Sequence, residues 1–222
     1  MTTTHVSDAE RMDRHYRYQR FIYDLTRTHY LIGRKHLISD LSLRPGVTVL
    51  EIGCGTAWNL VRIAKRYPHA RIYGVDVSNA MLDTARAAIK RHGLAGRIVV
   101  AQADATNFSA AEVFGIPTFD RVFFSYALSM IPGWYDALDA GASQVAPGGS
   151  LHIVDFGQCD RLPRSFKAAL FSFLDHYTVT PRADLEQICR QICKKHGLSL
   201  SFQRLHRGYT DYAVLTRSSL SM

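Results

Sequence analysis

The chain has 222 residues, 47% of them hydrophobic and 21% charged, an ordinary composition for one sizeable globular domain that excludes a disordered or collagen-like chain. No apolar run approaches the roughly 20 residues that a membrane-spanning helix needs. The formal charge of +8 favours anionic partners, either nucleic acid or the negative headgroups of a membrane leaflet, and says nothing of the fold.

The opening "MTTTHVSDAERMDRHYRYQR" is polar and charged and does not read as a signal peptide. Residues 8–42 read as helical and dense in aromatics, with Gly33 marking a break between two helices. Residues 1–42 are expected to form an N-terminal helical cap on a domain at 43–222. After a turn at Pro45 and Gly46, strands and helices alternate. "VTVLEI" reads as a buried strand and "AWNLVRIAKRYP" as the helix behind it. "ARIYGVDV" is the next strand. "SNAMLDTARAAIKRHG" is a helix with Ser78 as its N-cap and Gly93 as its stop. "RIVVAQAD" and "FDRVFFSYAL" are the third and fourth strands. "WYDALDAGASQVAPGG" reads as a helix closed by Pro-Gly-Gly, and "SLHIVDFG" as the fifth strand. "LSLSFQRLHRGYTDYAVLTR" reads as two strands around "HRGYTD". This alternation predicts an α/β fold: a seven-stranded, mostly parallel sheet with an antiparallel last strand and helices on both faces.

The four cysteines, Cys54, Cys159, Cys189 and Cys193, form no Cys-x-x-Cys pair, so no metal is expected. In a chain without an export signal they should stay reduced. Cys189 and Cys193 lie one helical turn apart and read as two half-buried thiols on one helix.

In "VLEIGCGTAWNL" an apolar run ends in a carboxylate, and two glycines follow. Without Cβ atoms, Gly53 and Gly55 let the chain turn sharply and let a ligand approach the backbone. A dinucleotide site adds a third glycine, so that a helix N-terminus can face a pyrophosphate. Trp58 stands at that position, which favours a nucleoside without phosphates. Asp76 ends the second strand, and its two oxygens match the vicinal hydroxyls of a ribose. Asp104 ends the third strand, placed to accept from an exocyclic amine, with the Ala105 N–H available to a ring nitrogen. Either aspartate also fits as a simple cap of the next helix, although Ser78 already supplies that cap after Asp76.

"VLEIGCGTAWNL", "GVDVSNAMLDTA", "AQADAT" and "VAPGGSLHIVDFG" resemble, in order, the successive motifs of class I S-adenosylmethionine-dependent methyltransferases, which have a Rossmann-like fold. The resemblance implies S-adenosylmethionine as cofactor and S-adenosylhomocysteine as product. It implies that Gly53, Cys54 and Gly55 border the methionine part and that Asp76 holds the ribose. Val77 and Met81 would line the adenine pocket with Asp104 and Ala105, Ser125 would lie beside the sulfur, and Tyr23 would join this set from the cap.

Longer stretches, "RYQRFIYDLTRTHYLIGRKHLI", "FFSYALSMIPGW" and "HIVDFGQCDRLPRSFKAALFSFLDHYTVTPRADL", are similar to the bacterial diacylglycerylhomoserine N-methyltransferases of betaine-lipid synthesis. That similarity implies a cytoplasmic, peripherally membrane-associated enzyme that trimethylates the amine of a homoserine headgroup. Its partners would be a lipid substrate at an anionic membrane surface and the enzyme that makes diacylglycerylhomoserine, with no nucleic acid. "TAWN" departs from the family, in which another glycine is expected after the second.

The residues after the fourth strand agree. Asn/Asp-Pro-Pro-Tyr is absent there, which argues against base or amide methylation. "SYALSM" supplies apolar and aromatic groups instead, and aromatic faces attract a quaternary ammonium. Tyr126, Tyr23 and Tyr16 are the candidates for the catalytic pocket, each of which also fits as packing. Arg27, Arg34 or Lys35 could pair with a carboxylate of acceptor or cofactor, or stay solvated. In "LPRSFKAALFSFLDHY", Phe166, Leu170, Phe173 and Tyr177 form one helical stripe beside Arg164 and Lys167. The stripe suits core packing against the sheet and equally a helix resting on an anionic bilayer. Another lipid or quinone methyltransferase, an RNA methyltransferase and a non-catalytic nucleoside-binding module stay open as alternatives.

Overall fold

The computed structural model describes residues 31–219. Two compact units divide the chain, residues 1–32 and 33–222, and the description below concerns the second. Its elements in chain order are α1 (Arg34–Asp40), β1 (Thr48–Ile52), α2 (Trp58–Arg66), β2 (Arg71–Asp76), α3 (Asn79–Arg91), β3 (Ile98–Gln102), α4 (Ala110–Phe114), β4 (Phe119–Ser125), α5 (Trp134–Ser143), β5 (Val145–Phe156), α6 (Arg164–His176), α7 (Leu185–His196), β6 (Leu198–Leu205) and β7 (Thr210–Arg217).

The seven strands form one sheet in the order β3-β2-β1-β4-β5-β7-β6. Neighbours from β3 to β5 are parallel, while β7 runs antiparallel to both β5 and β6. This is the seven-stranded, mostly parallel sheet expected from the alternation, in the Rossmann-like form that the resemblance implies. The chain steps outward from β1 to β3 and then returns to place β4 on the other side of β1. That reversal opens a crevice at the carboxyl ends of β1 and β4, where ligands of open α/β sheets sit.

The central strands are buried on both faces, which explains their near-continuous apolar runs. Leu50, Ile52, Val122, Phe124, Leu151 and Ile153 are fully buried in one core cluster. Each such side chain contributes about 1.5–3 kcal/mol on leaving water. On α7, Cys189 and Cys193 face the same core and are buried outright, not half-buried, and burial pushes the Cys189 thiol up to about 12.

Local signals fix several element ends. The Ser78 side chain accepts from the Met81 N–H and caps α3, and Gly93 follows that helix at φ +68°. Pro147, Gly148 and Gly149 do not close a helix, contrary to the sequence reading. Helix α5 ends at Ser143 and β5 begins at Val145. Val145 pairs with Phe119 and Ser150 with Arg121, so the intervening residues bulge out of the strand. The turn residues serve that bulge, with Gly148 at φ +73°.

Candidate active site

The carboxyl end of β1 leads into a turn with three left-handed residues: Gly53 at φ +75°, Gly55 at φ +51° and Ala57 at φ +63°. A Cβ on Gly53 would come within 2.8 Å of the Ala127 Cβ, so glycine lets the turn approach the loop after β4. Among the described residues a Cβ on Gly55 would meet nothing within 4 Å, which leaves open space there directly over the backbone. The third position that calls for glycine is 57, not 58: Ala57 carries the left-handed conformation, at a cost of about 1–2 kcal/mol. Trp58 is simply the first residue of α2.

The turn is braced from below. Glu51 is buried, and the Asn59 Nδ2 donates to its Oε1 over 2.6 Å, tying β1 to the first turn of α2. The Gly53 and Cys54 N–H groups both donate to the Val75 carbonyl. Burial first, then the Glu51 and Asp76 carboxylates, hold the Cys54 thiol well above its ordinary value, so it packs as a neutral thiol.

Asp76 ends β2. Its Oδ2 accepts the Gly55 N–H over 2.8 Å and its Oδ1 the Ser78 N–H over 2.9 Å. Each oxygen keeps further acceptor capacity. Beyond it Val77 is 66% exposed and Met81 half-buried. Asp104 is exposed and Ala105 half-buried. The Asp104 Oδ1 accepts the Thr106 N–H over 2.9 Å and the Thr106 hydroxyl over 2.8 Å, and these bonds hold its carboxyl below the usual range. Asp104 thus closes its own turn. Ser125 ends β4, and its Oγ is buried with no hydrogen-bond partner among the described residues.

Tyr126 follows in the left-handed region at φ +55° and is buried. Its hydroxyl lies 3.1 Å from Thr210 Oγ1, and burial pushes the phenol far above its usual value, so it stays protonated. Its ring meets Phe156 edge-on at 4.7 Å, Phe156 meets Tyr209 at 6.0 Å, and Tyr209 meets Phe166 at 6.3 Å. A row of rings therefore runs from the end of β4 to the first turn of α6. Tyr16, Tyr23 and Arg27 lie outside the described residues. Arg34 is buried with its guanidinium 3.7 Å from the Trp58 ring centroid, and Arg62 stacks on the same ring at 3.5 Å. Lys35 is exposed.

Sequence reasoning missed the groups that hold the loop after β4. Asp155 is buried; its Oδ2 accepts the Ser129 N–H over 3.0 Å, and burial raises its carboxyl pKa. The Arg182 Nε donates to the Leu128 carbonyl over 3.1 Å and its Nη2 to that of Ile131 over 2.9 Å. The Thr180 N–H donates to the Ser129 carbonyl. Nothing in the spacing of these residues announces that clamp, because its members come from separate elements.

The open space over Gly55, the Asp76 acceptors, the exposed Val77 and the orphaned Ser125 hydroxyl fit a nucleoside donor. Among the described residues no group of three or more His, Cys, Asp or Glu could hold a metal ion, and no helix is long and apolar enough to cross a membrane.

Residues 49–149 match the family described as "Methyltransferase domain". The chain is 36% identical over 178 residues to a trans-aconitate 2-methyltransferase of Streptomyces avermitilis, covering 74% of this chain and 64% of that protein. It is 28% identical over 127 residues to a demethylmenaquinone methyltransferase of Bacillus cytotoxicus, covering 56% of this chain and 51% of that one. The chain thus spans between half and two thirds of the length of these curated relatives. Its fold matches that of Haemonchus contortus phosphoethanolamine N-methyltransferase 2, solved in complex with S-adenosyl-L-methionine, with a TM-score of 0.65 at 18% identity, over 84% of this chain and 52% of that one. Sequence and fold agree on one conclusion: residues 49–149 match a methyltransferase domain, set within a Rossmann-like methyltransferase sheet.

Proposed function

We propose that the protein methylates the amine of a lipid headgroup, diacylglycerylhomoserine, and carries it to the trimethylated betaine lipid. The observation that carries this reading is the row of rings from Tyr126 through Phe156 and Tyr209 to Phe166. Aromatic faces attract a cation that cannot donate hydrogen bonds. The similarity of the flanking stretches to the betaine-lipid N-methyltransferases supports the same acceptor.

When bound, S-adenosylmethionine supplies an electrophilic methyl group on a sulfonium. Gly53, Cys54 and Gly55 would border its methionine part, Asp76 would accept from the ribose, Val77, Met81, Asp104 and Ala105 would line the adenine slot, and Ser125 would lie beside the sulfur. The acceptor amine must be neutral to attack. The apolar loop after β4 and the ring row desolvate it and so lower its pKa. Asp155 and Arg182 fix that loop, so positioning does most of the catalysis. Tyr126, protonated at neutral pH, orients and does not remove protons. In this reading the protein works at a membrane surface beside the enzyme that makes its lipid.

A second reading, methylation of a quinone ring, is favoured by the likeness to the demethylmenaquinone methyltransferase. One assay separates the two. Purified protein, radiolabelled S-adenosylmethionine and diacylglycerylhomoserine in mixed micelles should give labelled mono-, di- and trimethylated lipid. Label on a demethylated quinone and none on the lipid would overturn the first reading.

A further inference from the structure

We infer that the face built by α6 and the turn between β6 and β7 docks on an anionic phospholipid bilayer. The inference deepens the function proposed above and rests on it for the acceptor being a lipid.

Two basic stretches far apart in sequence are joined here. The loop after β5 ladders onto the β6–β7 turn: the Gly157 N–H donates to the Tyr209 carbonyl, Cys159 to Gly208 and Arg161 to Arg207, over 2.9, 2.7 and 3.2 Å. Arg161, Arg164 and Lys167 therefore neighbour Arg204, His206 and Arg207. The turn is held open in an unusual conformation, with His206 at φ +51° and Arg207 at φ +60°. Arg161, Arg164, His206 and Arg207 are exposed. Of the nearby carboxylates, Glu186 is already engaged by Arg190 and Arg204, at 2.7 and 3.3 Å, Asp211 is buried opposite Arg204 on β7, and Asp160 and Asp175 remain. Cations exceed anions on this face, which complements an anionic surface.

Apolar groups lie among these charges. Of the 13 residues of α6, only Leu174 is buried. Helix α7, of similar length, buries Leu185, Cys189, Ile192 and Cys193. Phe166 is 45% exposed and Phe173 42%, while Leu170 and Tyr177 are half-buried, so the α6 stripe is only partly taken up by core packing. Exposed rings among cations are the make-up of an interfacial helix.

Topology orients the face. β5 ends at Phe156 and β6 at Leu205, while β7 begins at Thr210. The loop after β5 and the β6–β7 turn thus stand on the same edge of the sheet as Gly55, Asp76 and Ser125. A lipid headgroup would reach the crevice from the surface on which this face rests. The opposite edge is also basic, through the exposed Lys65, Arg66, Lys90 and Arg91 in the last turns of α2 and α3. Those cations complement the helix C-termini and supply the control.

The test is co-sedimentation with phosphatidylglycerol or phosphatidylcholine vesicles, without cofactor or acceptor. Wild type should bind the former and ignore the latter. The triple variant Arg161→Glu, Arg164→Glu, Arg207→Glu should lower the partition on the order of 100-fold, from roughly 1 kcal/mol per cation near the surface. The charge-matched variant Lys65→Glu, Lys90→Glu, Arg91→Glu should keep it within a few-fold. Independently, Phe166→Trp should show a blue-shifted emission on phosphatidylglycerol vesicles. Equal loss in both triple variants would reduce the effect to overall charge and overturn the docking face. So would a wild type that ignores vesicles and forms a dimer which the first variant dissociates. Because binding is read without acceptor, failure to label the lipid leaves this result standing. Labelling from micelles without vesicle binding defeats the docking face alone.

Discussion

The Asp76 carboxylate accepts the Gly55 N–H over 2.8 Å, so the end of β2 holds the turn that follows β1. The same carboxylate accepts the Ser78 N–H at the start of α3, and one side chain therefore sets the shape of the cofactor crevice. Asp76→Ala removes both acceptors and the proposed ribose contact. Hydrogen bonds to a charged group are worth about 1.5–3 kcal/mol each, so S-adenosylmethionine affinity should fall at least 100-fold in calorimetric titration. A dissociation constant within about three-fold of wild type would show that the ribose is held elsewhere.

Arg182 acts at a distance from that turn. Arg182→Ala frees the Leu128 and Ile131 carbonyls while the Asp155 and Thr180 contacts to Ser129 remain. Amide exchange across residues 128–131 should accelerate, and kcat/KM for the acceptor should fall about ten-fold, with cofactor affinity unchanged. Unaltered exchange in that loop would show that Arg182 does not hold it.

Buried His152 titrates out of its usual range. Its Nε2 lies 2.8 Å from Ser150 Oγ and its Nδ1 2.9 Å from the Tyr212 hydroxyl, which donates to Asp40 over 2.7 Å. Burial lowers its pKa to about 4 from 6.5. The unfolded chain then takes up the proton first as pH falls. The stability is full above the unfolded value and is lost on acidification down to about pH 4, for a total of about 3 kcal/mol. In urea titrations, the stability advantage of wild type over His152→Gln should shrink between about pH 7 and pH 4.5. An advantage independent of pH would refute this.

Asp211 works in the opposite sense. It is buried, its Oδ1 has no hydrogen-bond partner among the described residues, and burial raises its pKa from 3.8 to about 6. The folded state binds this proton more tightly, so stability is lost as pH rises through about 6. Asp211→Asn should be more stable than wild type by about 1–3 kcal/mol at pH 8 and gain little at pH 4. A destabilised variant at pH 8 would mean that the charge is compensated.

Much of this was legible in the chain because it is written in local chemistry. Ser78 announces its own cap, and the alternation around Val49 and Val75 announces a buried sheet. What was hidden depends on partners distant in sequence. Tyr126 and Thr210 are 84 residues apart, and Arg182 and Leu128 54; no periodicity relates them. The third glycine position was misplaced at Trp58 because a dinucleotide spacing was applied to a turn whose left-handed residue falls at Ala57. The Pro-Gly-Gly stretch carries a turn signal whether it ends a helix or bulges a strand, and only pairing with β4 decides. The stripe of α6 has one periodicity whether it faces core or solvent.

The placement of β7 between β5 and β6 bears on how the protein is made. β5 leaves the ribosome well before the strand that will cover its far edge, and from Gly149 to Phe156 it ends up wholly buried. Until β7 arrives, that edge is a template for pairing with another nascent copy. Yield in a heterologous host should therefore depend on translation speed and chaperone supply more than on the finished fold's resistance to heat.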